Sequence, residues 1–171
     1  MNKEERYRDV LAQVKGLCDG EPDLVAKMAN VCALLHREFG FWWTGFYRVC
    51  PEVGGRRSEV AVGAATSEFR TPSSELVLGP FQGPIACVRI GYGRGVCGTA
   101  WKERRTVVVP DVEAFPGHIA CSSESRSEVV VPLLRGGEVV AVLDIDSREL
   151  ATFDDIDARW LGRVAEAVVN G

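Results

Sequence analysis

SEVVVPLLRGGEVVAVLDIDS, residues 127–147, is the part of the chain that decides the fold. It contains two β-branched, apolar runs that are separated by the residues Arg135-Gly136-Gly137-Glu138. A Gly-Gly pair between two such runs is typical of a tight hairpin turn. The second run is apolar at every position before its acids, as in strands that are covered on both faces. The pattern therefore predicts an antiparallel hairpin in the middle of a sheet.

Three acidic residues lie at one end of this predicted hairpin. Alternate residues of a strand share a face, so we expect Asp144 and Asp146 on the same face as Val140 and Val142. Glu128 begins the neighbouring strand and is expected to lie close to them. Carboxylates near a buried surface cost free energy unless they are paired or protonated.

The sequence by itself allows several roles for these acids. Three converging carboxylates can bind an ammonium group, bind a metal ion, or keep a proton for acid catalysis. The alternative is a structural role, in which they cap turns or form ion pairs with one of three nearby arginines: Arg89, Arg94 and Arg126.

The rest of the chain predicts helices at both ends and further strands between them. Apolar residues at helical spacing predict helices over residues 2–18, 23–38 and 153–170. Aromatic and β-branched runs predict strands over 41–49, 59–67 and 106–112, and a short strand from 74. The sum is an α+β fold with an antiparallel sheet of five or six strands. We expect the first and last helices to pack together on one sheet face.

Residues 78–121 contain three of the six cysteines: Cys87, Cys97 and Cys121. The many glycines and prolines here favour ordered loops, and a helix is predicted only after Gly95, weakened by Gly98. Loops on a rigid scaffold often carry binding and catalytic residues. Either these thiols are passive, or one is a nucleophile and another resolves its oxidised form.

A zinc site is disfavoured by the cysteine spacing. His118 precedes Cys121 by three residues, but the chain lacks the short paired spacings of structural zinc sites and has no Cys-x-x-Cys motif. Cys18 and Cys32 lie on predicted helices among apolar neighbours and are expected in the core, while Cys50 ends a predicted strand.

Bulk properties exclude several classes of protein. The 171 residues carry a net charge of −4, so no overall field favours nucleic acid or an anionic membrane. No apolar run is long enough to span a bilayer, and the N-terminus lacks a signal-peptide core. Cysteines in such a chain are expected as free thiols in a reducing compartment, here the cytoplasm.

Several long motifs of this sequence resemble those of a known family. LGPFQGPIACVRIGYGRGVCGTA from Leu78, VVPDVEAFPGHIAC, SEVVVPL and VLDIDS are similar to the free methionine-(R)-sulfoxide reductases, which are single GAF domains. The similarity extends to the N-terminal helices and the FWWTGFY strand. It implies one GAF domain over residues 1–171, with about six strands, terminal helices on one face and active-site loops on the other. The sequence departs from the family's pattern at two places. The segment 50–75 is longer than the compact hairpin of bacterial members, and Gly91-Tyr92 replaces a proline-containing step before GRGVCGTA.

The resemblance also implies a role for each site residue. Cys121 would attack the sulfoxide sulfur and become a sulfenic acid, Cys87 would resolve it as a disulfide, and Cys97 would be an alternative resolving or relay thiol. Thioredoxin would then reduce the disulfide, with no bound cofactor and no metal, and the enzyme would be a homodimer. The substrate, free methionine-(R)-sulfoxide, would meet three acids and an aromatic wall: Glu128, Asp144, Asp146, Trp43 and Tyr47.

Two other classes of function compete with this one. A GAF domain can be a ligand sensor, although a sensor does not need three loop cysteines and three acids. A thiol peroxidase would use Cys121 but would leave the acids unexplained. Turnover of methionine sulfoxide distinguishes the reductase from both.

Overall fold

The computed structural model describes residues 2–51, 74–118 and 124–171. Its helices are α1 Lys3–Cys18, α2 Leu24–Phe39, α3 Gly95–Glu103 and α4 Asp155–Asn170. Its strands are β1 Trp43–Pro51, β2 Ser74–Gln82, β3 Arg89–Gly91, β4 Val107–Val109, β5 Ser127–Arg135 and β6 Glu138–Ser147. A single 3-10 turn, Val112–Ala114, follows β4. None of the helices in these ranges is long and apolar enough to cross a membrane.

The six strands form one sheet in the order β3-β2-β1-β6-β5-β4, and every neighbouring pair is antiparallel. The predicted hairpin is confirmed, because β5 and β6 pair along their whole length around the Gly136-Gly137 turn. β6 lies between β1 and β5, in the interior of the sheet. Its continuous apolar run is therefore explained by cover on both faces.

The two faces of the sheet carry different layers. Helices α1, α2 and α4 pack on one face, where Phe46, Leu143 and Ile145 contribute to the larger apolar core. Helix α3 and the loops around it cover the other face. The expectation that the first and last helices pack together is confirmed by the Tyr7 hydroxyl, which donates to Asp157 Oδ1 at 2.7 Å. The α+β fold and its division between helices and loops are as predicted.

The ends of the helices follow from local sequence. Asp23 accepts hydrogen bonds from the first amides of α2, and Asp154 does the same for α4. Side-chain acceptors at this position satisfy amides that have no partner inside the helix. Gly40 ends α2 with φ of 68°, a left-handed conformation that favours glycine. The helices predicted over residues 23–38 and 153–170 are confirmed to within two residues at each end.

One predicted face assignment is wrong. Leu133 pairs with Ala141 but Leu134 pairs with Val139, so Val140 is an extra residue at a bulge in β6. Val139 therefore packs with the core on the α3 side, whereas Val140 packs against the core under the helices. The acids of β6 lie beyond the bulge, so their predicted face, shared with Val142, is unaffected.

The strand predicted over residues 59–67 lies outside the described residues. The outer neighbour of β1 is β2, with Tyr47 opposite Leu78 in the register. The run that begins at Ser74 is thus a full strand of 9 residues rather than a short one.

Candidate active site

The sheet register brings two of the predicted acids and Trp43, one residue of the predicted aromatic wall, into one row. Asp146 of β6 lies opposite Glu128 of β5 on one side and opposite Trp43 of β1 on the other. Asp144 occupies the next row on the same face. All four side chains line a pocket on the side of the sheet away from the three long helices. The convergence expected for the three acids is therefore observed.

Burial gives these acids unusual protonation behaviour. Loss of hydration, followed by the negative charges of Asp144 and Asp146, raises the pKa of Glu128 well above its usual range. Loss of hydration and the charge of Asp146 do the same to the pKa of Asp144. Burial raises the pKa of Asp146 to about 6, and the hydroxyl of Ser125, which donates to Asp146 Oδ1, limits that rise. Burial and the repulsion between carboxylates thus favour the protonated forms of these groups.

Nearby cations do not compensate these acids in the described part of the chain. Arg89 instead pairs with Glu75, at 2.8 Å. The nearest basic group is His118, whose Nδ1 lies 4.0 Å from Glu128 Oε2, and burial lowers the pKa of this histidine. No arginine in the described ranges forms an ion pair with Glu128, Asp144 or Asp146. The arrangement does not match the alternative in which the acids serve arginine ion pairs.

Cys97 lies against these acids, in the first turn of α3. Its thiol and the carboxyl groups of Glu128 and Asp144 offer ligand atoms within 4.8 Å of one another, all buried. Burial, followed by the charge of Asp144, raises the pKa of the Cys97 thiol well above its ordinary value. These three residues are the ones in the described ranges that could hold a metal ion, but a metal would first have to displace their protons.

The indole of Trp43 forms a fixed wall of the pocket. Its Nε1 donates to the carbonyl of Pro84 at 3.0 Å, and its ring stacks on Phe81 with centroids 5.6 Å apart. The ring lies directly over Gly45, where a Cβ atom would come within 2.2 Å of it. Glycine at position 45 is therefore required by close approach of the ring rather than by a turn.

Tyr47 connects the sheet to the loop that carries Cys87. Its hydroxyl donates to the carbonyl of Cys87 at 3.0 Å, and Tyr47 itself lines the pocket. Cys87 is disulfide-bonded, whereas four other cysteines are free: Cys18, Cys32, Cys50 and Cys97. Of these, Cys18 and Cys32 are buried as expected. Cys121 lies outside the described residues.

The pocket also contains residues that the sequence analysis did not assign to it. They are Trp42, Arg94, His118 and Ser125. The aromatic pair in FWWTGFY was a usable signal for Trp42. Nothing in the sequence pattern pointed to Ser125, because its contact with Asp146 depends on how the chain enters β5.

The sequence matches the GAF domain family over residues 28–170. It is 40% identical to "Free methionine-R-sulfoxide reductase" of Escherichia coli, covering 94% of this chain and 85% of that protein. It is 48% identical to "GAF domain-containing protein A" of Dictyostelium discoideum, covering 99% of this chain and 94% of that protein. The chain belongs to the free methionine-R-sulfoxide reductase family of GAF-domain proteins.

A solved structure from this reductase family agrees with that assignment. The fold superposes with a TM-score of 0.82 on the free methionine-R-sulfoxide reductase of Neisseria meningitidis, which was crystallised in complex with its substrate. The two sequences are 48% identical, and the match covers 98% of this chain and 89% of that one. The resemblance noted in the sequence is thus confirmed along nearly the whole chain.

Proposed function

We propose that this protein reduces free methionine-(R)-sulfoxide to methionine and that Glu128, Asp144 and Asp146 form its substrate site. The observation that carries the proposal is the convergence of these acids, which form no ion pair with an arginine or lysine of the described ranges, in one pocket beside Trp43 and the loop that carries Cys87. The substrate supplies what this pocket lacks, namely an ammonium group and a basic oxygen. Membership in a family whose relatives carry this name and bind this substrate supports it.

The three acids divide into two tasks according to their protonation. Burial and neighbouring negative charge raise the pKa values of Glu128 and Asp144 well above their usual range, which favours their protonated forms, so these groups can protonate the sulfoxide oxygen. Protonation is needed because oxide is a poor leaving group. Asp146, with a pKa of about 6, is ionised at neutral pH and binds the substrate ammonium. A peptide-bound methionine has no such ammonium, so the pocket selects the free amino acid.

Trp43 and Tyr47 form the wall for the apolar part of the substrate. Their rings are 6.1 Å apart and nearly parallel, and both are almost fully buried. A fixed aromatic surface suits the S-methyl and methylene groups of the substrate. Because Trp43 is held by Pro84 and by Phe81, the wall is formed before the substrate arrives.

The redox steps use two cysteines. The Cys121 thiolate attacks the protonated sulfoxide sulfur, methionine leaves, and Cys121 becomes a sulfenic acid. The Cys87 thiol then attacks the sulfenic sulfur, so that a disulfide forms and water is released. The disulfide at Cys87 supports a resolving role for this residue, since the other four described cysteines are free. Cys97, a buried and protonated thiol against Asp144, is kept as a relay thiol.

The remaining parts of the proposed function are the external reductant, the cofactor requirement, the compartment and the assembly. Thioredoxin reduces the disulfide, no prosthetic group or metal takes part, and a reducing compartment such as the cytoplasm supplies the electrons. Residues 1–171 act as one GAF domain, because α1, which precedes the matched range, shares its core with α4. The homodimer implied by the resemblance stays a prediction, and light scattering measures it.

The function is tested by methionine release from separate substrates in the presence of dithiothreitol. We expect turnover of the free R sulfoxide and none of the S sulfoxide or the N-acetylated R sulfoxide. Turnover of the acetylated substrate would remove the ammonium-binding role from Asp146. No turnover of any of these would contradict the proposed function and favour a ligand sensor, and faster reduction of peroxide would favour a thiol peroxidase.

The cysteine roles are tested by two serine variants. Cys121→Ser is expected to abolish methionine release even in a single turnover, because the nucleophile is gone. Cys87→Ser is expected to keep the single turnover and to lose most of the thioredoxin-linked steady-state rate. An equal loss in both assays for Cys87→Ser would contradict its resolving role.

A further inference from the structure

The Cys87 loop, residues 83–88, exposes two large apolar side chains. Ile85 is 89% exposed and Val88 is 63% exposed, the two highest values for large apolar residues in the described ranges. Apolar residues scattered singly over a surface are ordinary, but adjacent ones often mark an interaction site. Here the two side chains flank Cys87, which is disulfide-bonded.

The exposure does not result from a loop that is detached from the sheet. Three of its carbonyl groups accept hydrogen bonds from β1 and β2. Their donors are Trp43 Nε1 to Pro84 at 3.0 Å, Tyr47 Oη to Cys87 at 3.0 Å and the Leu78 amide to Val88 at 2.9 Å. The loop is therefore held in place while Ile85 and Val88 remain in solvent.

The substrate pocket explains only part of this arrangement. Ile85 lies at the pocket and can contact the substrate, whereas Val88 is not among the residues that line it. Val88 also belongs to neither apolar core of the described chain. Its exposure therefore has no explanation in the fold or in the proposed reaction with the small substrate.

We infer that Ile85 and Val88 form the surface on which a dithiol reductase of the thioredoxin class docks to reduce the disulfide at Cys87. The inference rests on the proposed function, because only there is the disulfide formed in every turnover. A macromolecular reductant must bring its own thiol within bonding distance of a sulfur in this loop. Apolar contacts on both sides of Cys87 would hold it there.

The charges that follow the Cys87 loop, up to residue 94, limit which reductases fit this surface. Residues 83–94 contain Arg89 and Arg94 and no acidic residue, although the whole chain has a net charge of −4. Arg89 is compensated by Glu75, whereas Arg94 is exposed and forms no ion pair with any residue in the described ranges. The surface thus fits a reductase with an apolar face around its dithiol and acidic residues at the rim.

The chemistry of the docked complex is a pair of thiol–disulfide exchanges. The thiolate of the reductase attacks Cys87 Sγ, the existing S–S bond breaks, and the partner thiolate, assigned above to Cys121, leaves and takes up a proton. This leaves a mixed disulfide between the reductase and Cys87. The second thiol of the reductase then attacks the reductase sulfur of that bond and releases the Cys87 thiolate, which takes up a proton. Two electrons pass from the dithiol to the disulfide, and the nucleophile is restored at once.

The decisive experiment compares two reductants on matched variants. Val88→Asp places a charge in the docking surface, and Val25→Asp places the same charge at a valine that is 41% exposed on α2. With thioredoxin, thioredoxin reductase and NADPH, we expect Val88→Asp to raise the KM for thioredoxin about tenfold, as for loss of one apolar anchor. Val25→Asp should leave this KM unchanged. With dithiothreitol, both variants should reduce methionine sulfoxide at the wild-type rate.

Each contrary outcome has a distinct meaning. An unchanged KM for thioredoxin in Val88→Asp would overturn the docking surface while leaving the reductase activity in place. Absence of turnover with dithiothreitol in the wild type would instead contradict the proposed function. A wild-type dimer that becomes a monomer in Val88→Asp, by light scattering, would assign the surface to a second copy of the chain and overturn the inference.

A trapping experiment tests the sulfur that is attacked. Thioredoxin with its second active-site cysteine replaced by serine cannot complete the exchange and remains attached to its target. We expect peptide mass spectrometry to find the mixed disulfide at Cys87. Attachment at Cys121 would overturn the direction of attack.

Discussion

At the scale of single residues, the costly feature of this protein is the cluster of Glu128, Asp144 and Asp146. Each is buried, and burial raises the pKa of all three carboxyl groups, so that their ionised forms are costly. One oxygen of Asp144 is buried without a hydrogen-bond partner in the described part of the chain. A buried polar atom without a partner is destabilising, so its presence indicates that a ligand completes the site.

The mutual influence of these acids gives a prediction for the pH dependence of catalysis. The charge of Asp146 helps to raise the pKa of both Glu128 and Asp144. In Asp146→Asn those two groups should lose their protons at lower pH, so the alkaline limb of kcat/KM should move toward acid. The value of kcat/KM reports the free enzyme. We also expect it to fall roughly tenfold to a hundredfold at its optimum, from loss of the ammonium contact.

The control for this profile is Ser125→Ala. The Ser125 hydroxyl lowers the pKa of Asp146, so its removal keeps Asp146 protonated to higher pH and leaves the charge of the other two acids in place. In Ser125→Ala the acidic limb of kcat/KM should therefore move to higher pH. In Asp146→Asn it is the alkaline limb that moves, and it moves to lower pH. An alkaline limb that stays at the wild-type position in Asp146→Asn would show that the acids do not supply the essential proton.

At the scale of elements, the sequence predicts what depends on local pattern and misses what depends on neighbours. The hairpin of residues 127–147 and the place of Asp144 and Asp146 follow from alternation and a Gly-Gly turn, both local signals. The bulge at Val140 has no such signal, because valine suits either face and its position is set by the register of β5. The contact of Ser125 with Asp146 and the anchoring of the Cys87 loop are likewise products of assembly.

Helix α3 shows how a residue that weakens a prediction can be required by the fold. Gly98 lies inside α3, where glycine costs about 1 kcal/mol relative to alanine. A Cβ atom at this position would lie 2.5 Å from the carbonyl oxygen of Gly91 and close to the backbone of Gly93. The glycine therefore lets α3 approach the turn that follows β3, and this approach places Cys97 against the acids.

This explanation predicts opposite effects for two identical substitutions. Gly98→Ala should destabilise the fold by about 1–3 kcal/mol, because backbone has to move to accept the methyl group. Gly162→Ala, in α4 with open space around its Cβ position, should stabilise it by about 1 kcal/mol. Urea unfolding of both variants measures the difference, and a stabilising effect of Gly98→Ala would contradict the close approach.

At the scale of the whole molecule, the fold separates the part that stabilises it from the part that reacts. Three helices bury the larger apolar core on one face of the sheet, and hydrogen bonds such as that from Tyr7 to Asp157 join the two ends of the chain there. The opposite face carries the redox loop and the acids, and the raised pKa values of the acids mean that their ionised forms destabilise the fold. Conservative removal of an acid should therefore increase stability while it decreases activity, a common trade-off at functional sites.

The pH dependence of stability tests this division. The folded pKa of Asp146 is about 6, above its unfolded value of 3.8. Between these values the folded state binds more protons than the unfolded state, so this group stabilises the fold below pH 4 and loses that contribution as pH rises through 6. Asp146→Asn should therefore gain stability over the wild type across this window, by about 3 kcal/mol above pH 6.

Asp154 provides a control of opposite sign on the helical side of the sheet. Slight burial opposes ionisation of its carboxyl group, but the hydrogen bond from Lys3 and the amides of α4 outweigh that effect and lower its pKa. Its contribution to stability is therefore present above the unfolded pKa and lost as pH falls through the folded one. Asp154→Asn should lose stability relative to the wild type as pH rises from 3 to 5, whereas Asp146→Asn gains it.

Urea unfolding midpoints across pH 3 to 8 measure both. If the midpoints of Asp146→Asn and the wild type change with pH in parallel, ionisation of Asp146 does not destabilise the fold. The conclusion that one face of the sheet stabilises the protein at the expense of the other would then be wrong.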